Sequence, residues 1–336
     1  MHATSRRTID PRGAARAGIA LVMAGLALAA CSEAESASEY PIKPVRIFVP
    51  YGAGGVGDLT MRVLAQKLGE NVNQRFIIEN RPGAGGTIAM RSVLDAPRDG
   101  YAIGELGNGQ AIATTLFTHL PYDILKDFAQ VSIAASFPLL IAVSGSSSYH
   151  SLKDVVDAAK KNPGKLNLGA VLPGSTQNLS AHLFKQTTGA DFTIIPYKTT
   201  PDLVTALLRG DVDVGFDYYA GFQGNLADAK LRIIATSGDT RDPLLKDVPT
   251  VVESGYPTYV VTSYNGAVVR AGTPPEIINY LNTEITRALA APDVQERYRG
   301  LGIHAEPSTP QQMHERLARD IAKWREVIDK AGIPKQ

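Results

Sequence analysis

The sequence predicts an α/β protein, and three observations carry that expectation. From residue 45 onward, short β-branched runs alternate with one-sided apolar stripes of helical spacing. Most of the helical stretches open on capping residues. Glycine-rich loops sit where strands give way to helices, the arrangement of a parallel α/β sheet. Hydrophobic residues make up 44% of the 336 and charged residues 20%, a globular composition with enough chain for about two cores. The formal net charge of +1 argues against a nucleic-acid partner. A single cysteine, Cys31, excludes an internal disulfide and a cysteine zinc cage.

The elements follow in order. Val45-Arg46-Ile47-Phe48-Val49 is a buried strand that ends at Pro50. Asp58 reads as the N-cap of a helix to Val72, with Met61, Leu64, Ala65 and Leu68 on one face. Phe76 to Glu79 and Tyr101 to Leu106 are the next strands. Ser151-x-x-Asp154 is a capping box that opens a helix to Lys161, stopped by Pro163. Leu166 to Val171 and Phe192 to Pro196 are strands. Thr200-Pro201 opens a helix that ends at Gly210, and Asp211 to Phe216 alternates as a half-polar strand. Leu231 to Ala235 is a further strand. Thr273-Pro274-Pro275-Glu276 and Thr309-Pro310-Gln311-Gln312 read as capping boxes of two C-terminal helices, and the stripe of the second places Trp324 in the core.

The first thirty residues have the build of a secretory signal. Arg6, Arg7, Arg12 and Arg16 precede an uncharged run from Ala17 to Ala30. The run is shorter than the roughly 20 residues of a spanning helix. It ends Leu28-Ala29-Ala30-Cys31, which resembles a bacterial lipobox and makes Cys31 the expected lipidation site. An ordinary signal peptide beside a chance cysteine is the alternative. Ser32 to Glu39 is a small, acidic stretch expected to act as a flexible tether. Without residues 1–30 the chain keeps 30 basic and 32 acidic residues, so any attraction for an anion must be local.

Gly52-Ala53-Gly54-Gly55-Val56-Gly57 fits the dinucleotide fingerprint G-x-G-x-x-G after a strand and before a helix. An exported protein has no ready supply of a soluble nicotinamide cofactor, and a second loop, Gly83-Ala84-Gly85-Gly86, follows the next strand. Two such loops at one sheet edge form a wall of N–H donors that suits a small anion. Pro173-Gly174-Ser175-Thr176-Gln177-Asn178 repeats the chemistry after a later strand. Plain tight turns and helix caps are the structural alternative for all three loops. No G-x-S-x-G elbow or H-E-x-x-H motif points to an enzyme.

These residues resemble the extracytoplasmic solute-binding receptors of tripartite tricarboxylate transporters, the Bug family. The resemblance rests on Tyr40-Pro41-Ile42-Lys43-Pro44-Val45-Arg46, Gly54-Gly55-x-x-Asp58 and Glu79-Asn80-Arg81-Pro82-Gly83-Ala84-Gly85-Gly86. It continues in Asp99-Gly100-Tyr101, Leu120-Pro121-Tyr122-Asp123, Pro196-Tyr197-Lys198, Gly210-Asp211-Val212-Asp213, Asp247-Val248-Pro249-Thr250 and Ala271-Gly272-Thr273-Pro274. It implies a two-lobe periplasmic-binding-protein fold, each lobe a mostly parallel sheet flanked by helices, with the ligand cleft between lobes. Residues 40–141 with 262–336 would form one lobe and 142–261 the other. It also implies a small carboxylate ligand, membrane permease subunits as partners, no cofactor, and a monomer. Three family positions differ: Gly57, Asn178 and Tyr264 stand where relatives often carry Thr, His and Trp.

The ligand-binding residues expected on this basis are Tyr51, Gly54, Gly55, Val56, Gly57 and Asp58 from the first loop. Gly86, Thr87 and Asn108 follow from the next strand ends, and Gly174, Ser175, Thr176, Gln177 and Asn178 from the third loop. Lys198, Asp217, Tyr218 and Tyr264 would choose the rest of the ligand. Tyr51, Tyr218, Tyr219 and Tyr264 could sandwich an aromatic ring, and Lys198 with Arg81 could meet a second carboxylate. An exported enzyme, or a dinucleotide binder using Gly52 to Gly57, is the competing expectation.

Overall fold

Two β-sheets with helices packed on their faces make up the computed structural model, which describes residues 40–336. The expected signal, tether and Cys31 lie outside those residues. In the first half run β1 (Val45–Val49), α1 (Val56–Val72), β2 (Phe76–Asn80), α2 (Thr87–Leu94), β3 (Ala102–Gly107) and α3 (Asn108–Leu116). Then β4 (Phe128–Pro138) and β5 (Leu140–Ser144) follow with only Leu139 between them. The middle holds α4 (Leu152–Lys161), β6 (Leu166–Val171), α5 (Thr176–Thr188), β7 (Phe192–Tyr197), α6 (Thr200–Arg209), β8 (Val214–Asp217), α7 (Tyr219–Ala227) and β9 (Leu231–Thr236). The chain closes with β10 (Thr262–Arg270), α8 (Pro275–Leu289), α9 (Pro292–Gly300), β11 (His304–Ala305) and α10 (Pro310–Ala331).

The first sheet has the order β11-β4-β10-β3-β1-β2 and the second β7-β6-β8-β5-β9. Each is parallel at one end only: β3-β1-β2 and β7-β6-β8 pair parallel, while β4, β10, β11, β5 and β9 pair antiparallel. The departure from a mostly parallel sheet comes from strands that pass between the sheets. β4 belongs to the first sheet, and Leu140, one residue beyond Leu139, already pairs with Asp217 and Thr236 of the second. The return crossing enters β10, where Thr262 pairs with Pro138.

Several local expectations shift. Helix α1 starts at Val56 with Gly55 as N-cap, so Asp58 lies in the first turn rather than before it. The strand expected from Asp211 begins at Val214, because the Asp213 carboxylate accepts the Asn167 backbone N–H (2.8 Å) and Asp211 and Val212 make the turn. Thr273 does not cap α8: its hydroxyl donates to the Arg270 carbonyl (2.8 Å) and Pro274 is the N-cap. The boxes at Ser151–Asp154 and Thr309–Gln312 both form. Trp324 is fully buried, and α10 packs against α3, β4 and α5, so it touches elements of both sheets.

Ser237 ties the two crossings together. It is fully buried. Its backbone N–H donates to Leu139 O (2.9 Å), and its hydroxyl accepts from Leu139 N (2.7 Å) while donating to Val261 O (2.5 Å). Its carbonyl accepts from Val261 N (2.8 Å). Ser237→Ala leaves the Leu139 amide and one Val261 carbonyl bond without a side-chain partner in a fully buried site. The expected cost is about 1–3 kcal/mol in urea unfolding; a loss below about 0.5 kcal/mol, the range of an ordinary surface change, would show that the hydroxyl is not needed there.

Candidate ligand-binding cavity

The two sheets present the same local structure to each other. After β1 and after β6 the chain makes a glycine turn and enters a helix, α1 or α5. Gly54 and Gly174 hold φ of +85° and +77°, a region open to glycine without steric cost. The N-caps match as well: Gly55 at φ −73°, ψ 164° and Ser175 at φ −72°, ψ 163°. In the first loop the Asp58 carboxylate accepts the Gly54 N–H (2.8 Å), and in the second the Asn178 amide oxygen accepts the Gly174 N–H (3.3 Å). Two residues on, Thr60 and Ser180 each donate their hydroxyl to the carbonyl four residues back (2.7 and 2.5 Å). The shared pattern is Gly-x-x-x-(Asp/Asn)-Leu-(Thr/Ser), legible in the sequence once the two segments are aligned.

This pairing decides which N–H groups face outward. Gly54 and Gly174 spend theirs inside the loops. The first-turn amides of Val56 and Gly57, and of Thr176 and Gln177, have no acceptor within their helices. Asp58 also binds Arg62 Nε (2.9 Å) and Asn80 Nδ2 (2.8 Å). Burial alone would raise its pKa, but the bonds from Arg62, Gly54 and Asn80 outweigh that and hold it below the usual carboxylate range.

A cavity of about 460 Å³ lies between the two helix starts. Of the expected residues, Tyr51, Gly54, Gly55, Val56, Gly57, Asn108, Ser175, Thr176, Gln177, Asp217, Tyr218 and Tyr264 line it. Asp58, Gly86, Thr87, Gly174, Asn178 and Lys198 are not part of its wall. Asp58, Gly174 and Asn178 hold the loops from behind. Gly86 is buried where a Cβ would strike Gln110 Nε2 at 2.7 Å, Thr87 opens the helix beside it, and Lys198 is exposed. Arg81 is committed to Glu79 (2.9 Å) and the Ser92 hydroxyl (2.7 Å), and Tyr219 packs against Gly302, so neither reaches the cavity. The Gly83–Gly86 loop therefore adds no N–H wall here.

Tyr51 is wedged between two glycines. A Cβ on Gly57 would fall 2.7 Å from its ring, and one on Gly109 would fall 2.5 Å from its hydroxyl. Gly57 is thus required by the packing of Tyr51. Across the cavity Tyr218 stacks edge-on against Phe137 (5.0 Å) and shares a hydrogen bond with the Ser263 hydroxyl (2.8 Å). That contact joins the end of β8 in one sheet to β10 in the other. Leu172 also lines the cavity, 53% exposed and at φ +44°, a costly conformation for a non-glycine residue.

Two polar groups stand out for their surroundings. Asp217 is 2% exposed and accepts from Gln177 Nε2, Thr200 Oγ1 and its neighbour's N–H, yet burial outweighs those bonds and raises its pKa. Glu105 is fully buried beside the cavity floor, and burial pushes its carboxyl up to about 8. The partners of Asn265 set its amide: Nδ2 donates to Glu105 Oε1 (2.9 Å) and Tyr264 O (3.0 Å), which leaves Oδ1 beside the Thr60 hydroxyl. Glu105 Oε2 has no protein partner. Sequence reading missed Glu105, Asn265, Ser263 and Phe137 because the last three sit on strands it did not resolve, and Glu105 resembled the polar residue of a half-exposed strand. It also read Thr200 only as a helix start.

A larger cavity of about 650 Å³ opens on the opposite side of the crossing strands, reached by Ser136, Pro138 and Thr262 where Phe137 and Ser263 face the first. Several of its charges are paired with each other or with backbone. Arg316 binds Asp320 (3.0 Å) and Thr262 O (2.7 Å), His304 binds Asp242 (2.9 Å), and Lys323 donates to Val260 O (2.5 Å). The smaller cavity, with its converging helix starts, is the better candidate site.

Comparison with known proteins agrees with this architecture. A family profile described as tripartite tricarboxylate transporter family receptor matches residues 60–333. BugT of Bordetella pertussis is 30% identical over 317 residues, 94% of this chain and 96% of BugT. Rpa4515 of R. palustris, solved with adipate, superposes at a TM-score of 0.77 with 32% identity, over 88% of this chain and 99% of that one. The periplasmic binding protein BugD superposes at 0.75 with 29% identity, over 88% and 100%. With two lobes, a cavity between their helix starts and a profile match along most of its length, the chain belongs to the receptor family of the tripartite tricarboxylate transporters, a family of periplasmic solute-binding proteins.

Proposed function

We propose that the protein captures a small carboxylate in the cavity between its lobes, closes on it, and delivers it to membrane permease subunits. The observation that carries this is the pair of matched helix starts, one from each lobe, facing one cavity with outward N–H groups. Such groups stabilise a carboxylate by charge-assisted hydrogen bonds without a buried cation to desolvate. The adipate in Rpa4515 supports a carboxylate ligand. Because each lobe supplies half of the donors, an anion gains more from the closed arrangement and shifts the equilibrium towards it. The moving bodies would be residues 40–138 with 262–336 and residues 140–260, with the crossings at Leu139 and Val261, so that Leu140 and Ile141, expected from sequence in the first lobe, move with the second. The protein acts as a monomeric binder rather than a catalyst, anchored in the periplasm through lipid on Cys31. That placement rests on the basic and apolar order of residues 6–31.

A thermal-shift screen of mono-, di- and tricarboxylates tests this, with NAD as the counter-probe. A ligand at a hundredfold excess over its dissociation constant adds about 2.7 kcal/mol to folding stability. Stabilisation by a carboxylate supports the receptor; stabilisation by NAD with no carboxylate response would return the glycine loop to dinucleotide binding. Cys31→Ala should move the protein from the membrane to the soluble fraction of expressing cells, and unchanged partitioning would remove the anchor.

A further inference from the structure

Asp217 is the one Asp, Glu, Lys, Arg or His side chain on the cavity wall among the described residues. Its two oxygens are not equally engaged. Oδ1 accepts from Gln177 Nε2 (3.1 Å) and the Tyr218 N–H (2.8 Å), whereas Oδ2 accepts only from the Thr200 hydroxyl (2.5 Å). A carboxylate oxygen has room for about two donors, so Oδ2 keeps one acceptor site. The space in front of it is held open by Gly221: a Cβ there would lie 3.2 Å from Oδ2 and 2.7 Å from Thr200 Cγ2. Thr200, Gly221 and Asp217 all line the cavity.

We infer that the receptor selects carboxylates whose far end carries a hydrogen-bond donor, a hydroxyl, amide or amino group, and disfavours a second carboxylate. This rests on the carboxylate reading of the helix starts. One carboxylate of the ligand takes the outward N–H groups. A donor at the other end fills the remaining site on Asp217 Oδ2. A second carboxylate would meet an acceptor, lone pair against lone pair, with no cation on the wall to offset it. Buried polar groups discriminate strongly because a mismatched partner leaves them unpaired. The middle of the cavity, between Phe137, Tyr218 and Leu172, is apolar and takes the ligand's carbon frame.

The test is calorimetric titration of the purified full-length protein with matched pairs, each dicarboxylate beside the hydroxy acid of the same frame. The pairs run from three to ten carbons and include adipate with 6-hydroxyhexanoate and terephthalate with 4-(hydroxymethyl)benzoate. In every pair with a binder, the hydroxy acid is expected to bind at least tenfold more tightly. Asp217→Asn, which removes the charge at constant shape, is expected to narrow that ratio by strengthening the dicarboxylate. A dicarboxylate that binds the unaltered protein as tightly as its hydroxy partner overturns the inference and leaves carboxylate capture standing. So does an unchanged ratio in Asp217→Asn. If no member of any pair binds, carboxylate capture fails, and this selectivity with it.

Discussion

Glu105→Gln is expected to stabilise the protein by a few kcal/mol at pH 8 and to leave it nearly unchanged at pH 4. Glu105 is fully buried, and its carboxyl titrates near 8 in the folded protein, against about 4.3 in an unfolded chain. Between those two values the folded state keeps a proton that the unfolded state releases. Folding stability therefore falls as pH rises through the window, by about 1.4 kcal/mol per unit, and levels off once both states are ionised. Gln has the same shape and still accepts from Asn265 Nδ2, but it has nothing to lose at high pH. Urea unfolding of both proteins from pH 4 to 9 should give curves that meet at the acid end and diverge above about pH 5. Parallel curves would mean that water or relaxation solvates Glu105 and that the carboxyl is not held neutral. The proton also matters to the site, because Asn265 lines the cavity and takes its orientation from Glu105.

Glu105 also shows where sequence reading stops. Strand β3 reads Ala-Ile-Gly-Glu-Leu-Gly, and a lone acid in such a run suggests one solvated face; all six residues are buried. What hides Glu105 is β10, which pairs with β3 from far along the chain, placing Ala267 opposite Glu105. Nothing local signals that pairing, and the same non-local partner covers Gln130, Ser132 and Ser136 of β4, whose polarity blurred the strand pattern. The elements read correctly were those whose determinants are local. Ser151 and Thr309 cap their helices through bonds spanning three residues, and the stripe around Trp324 needs only helical periodicity. The glycine loops fall between these cases. Their chemistry was visible, but the role of Asp58 was not. A carboxylate before an apolar stripe reads as an N-cap, whereas here the extended Gly55 starts the helix earlier and frees Asp58 to hold Gly54. Asn178 repeats that role in the other lobe.

Gly55→Val is expected to weaken carboxylate binding a hundredfold or more while changing folding stability by less than about 1 kcal/mol. The backbone there, at φ −73° and ψ 164°, is open to any residue. A Cβ would meet only Gly52 O, at an ordinary 3.6 Å, so the fold accommodates the side chain. Valine is a poorer N-cap than glycine, which accounts for most of the allowed loss. Gly55 nevertheless forms the cavity wall immediately before the outward amides of Val56 and Gly57. An isopropyl group at that point occupies the approach an oxyanion needs to reach them at hydrogen-bonding distance. A hundredfold loss corresponds to about 2.7 kcal/mol, roughly the worth of one to two charge-assisted bonds. The comparison that isolates the effect is Asp58→Ala, which removes a buried carboxylate with three donors and should lower stability and affinity together. Thermal unfolding with and without the best ligand of the screen separates the two variants. Gly55→Val should melt with the unaltered protein when free and fail to gain from ligand, whereas a full ligand-induced shift in that variant would move the anion away from the first helix start.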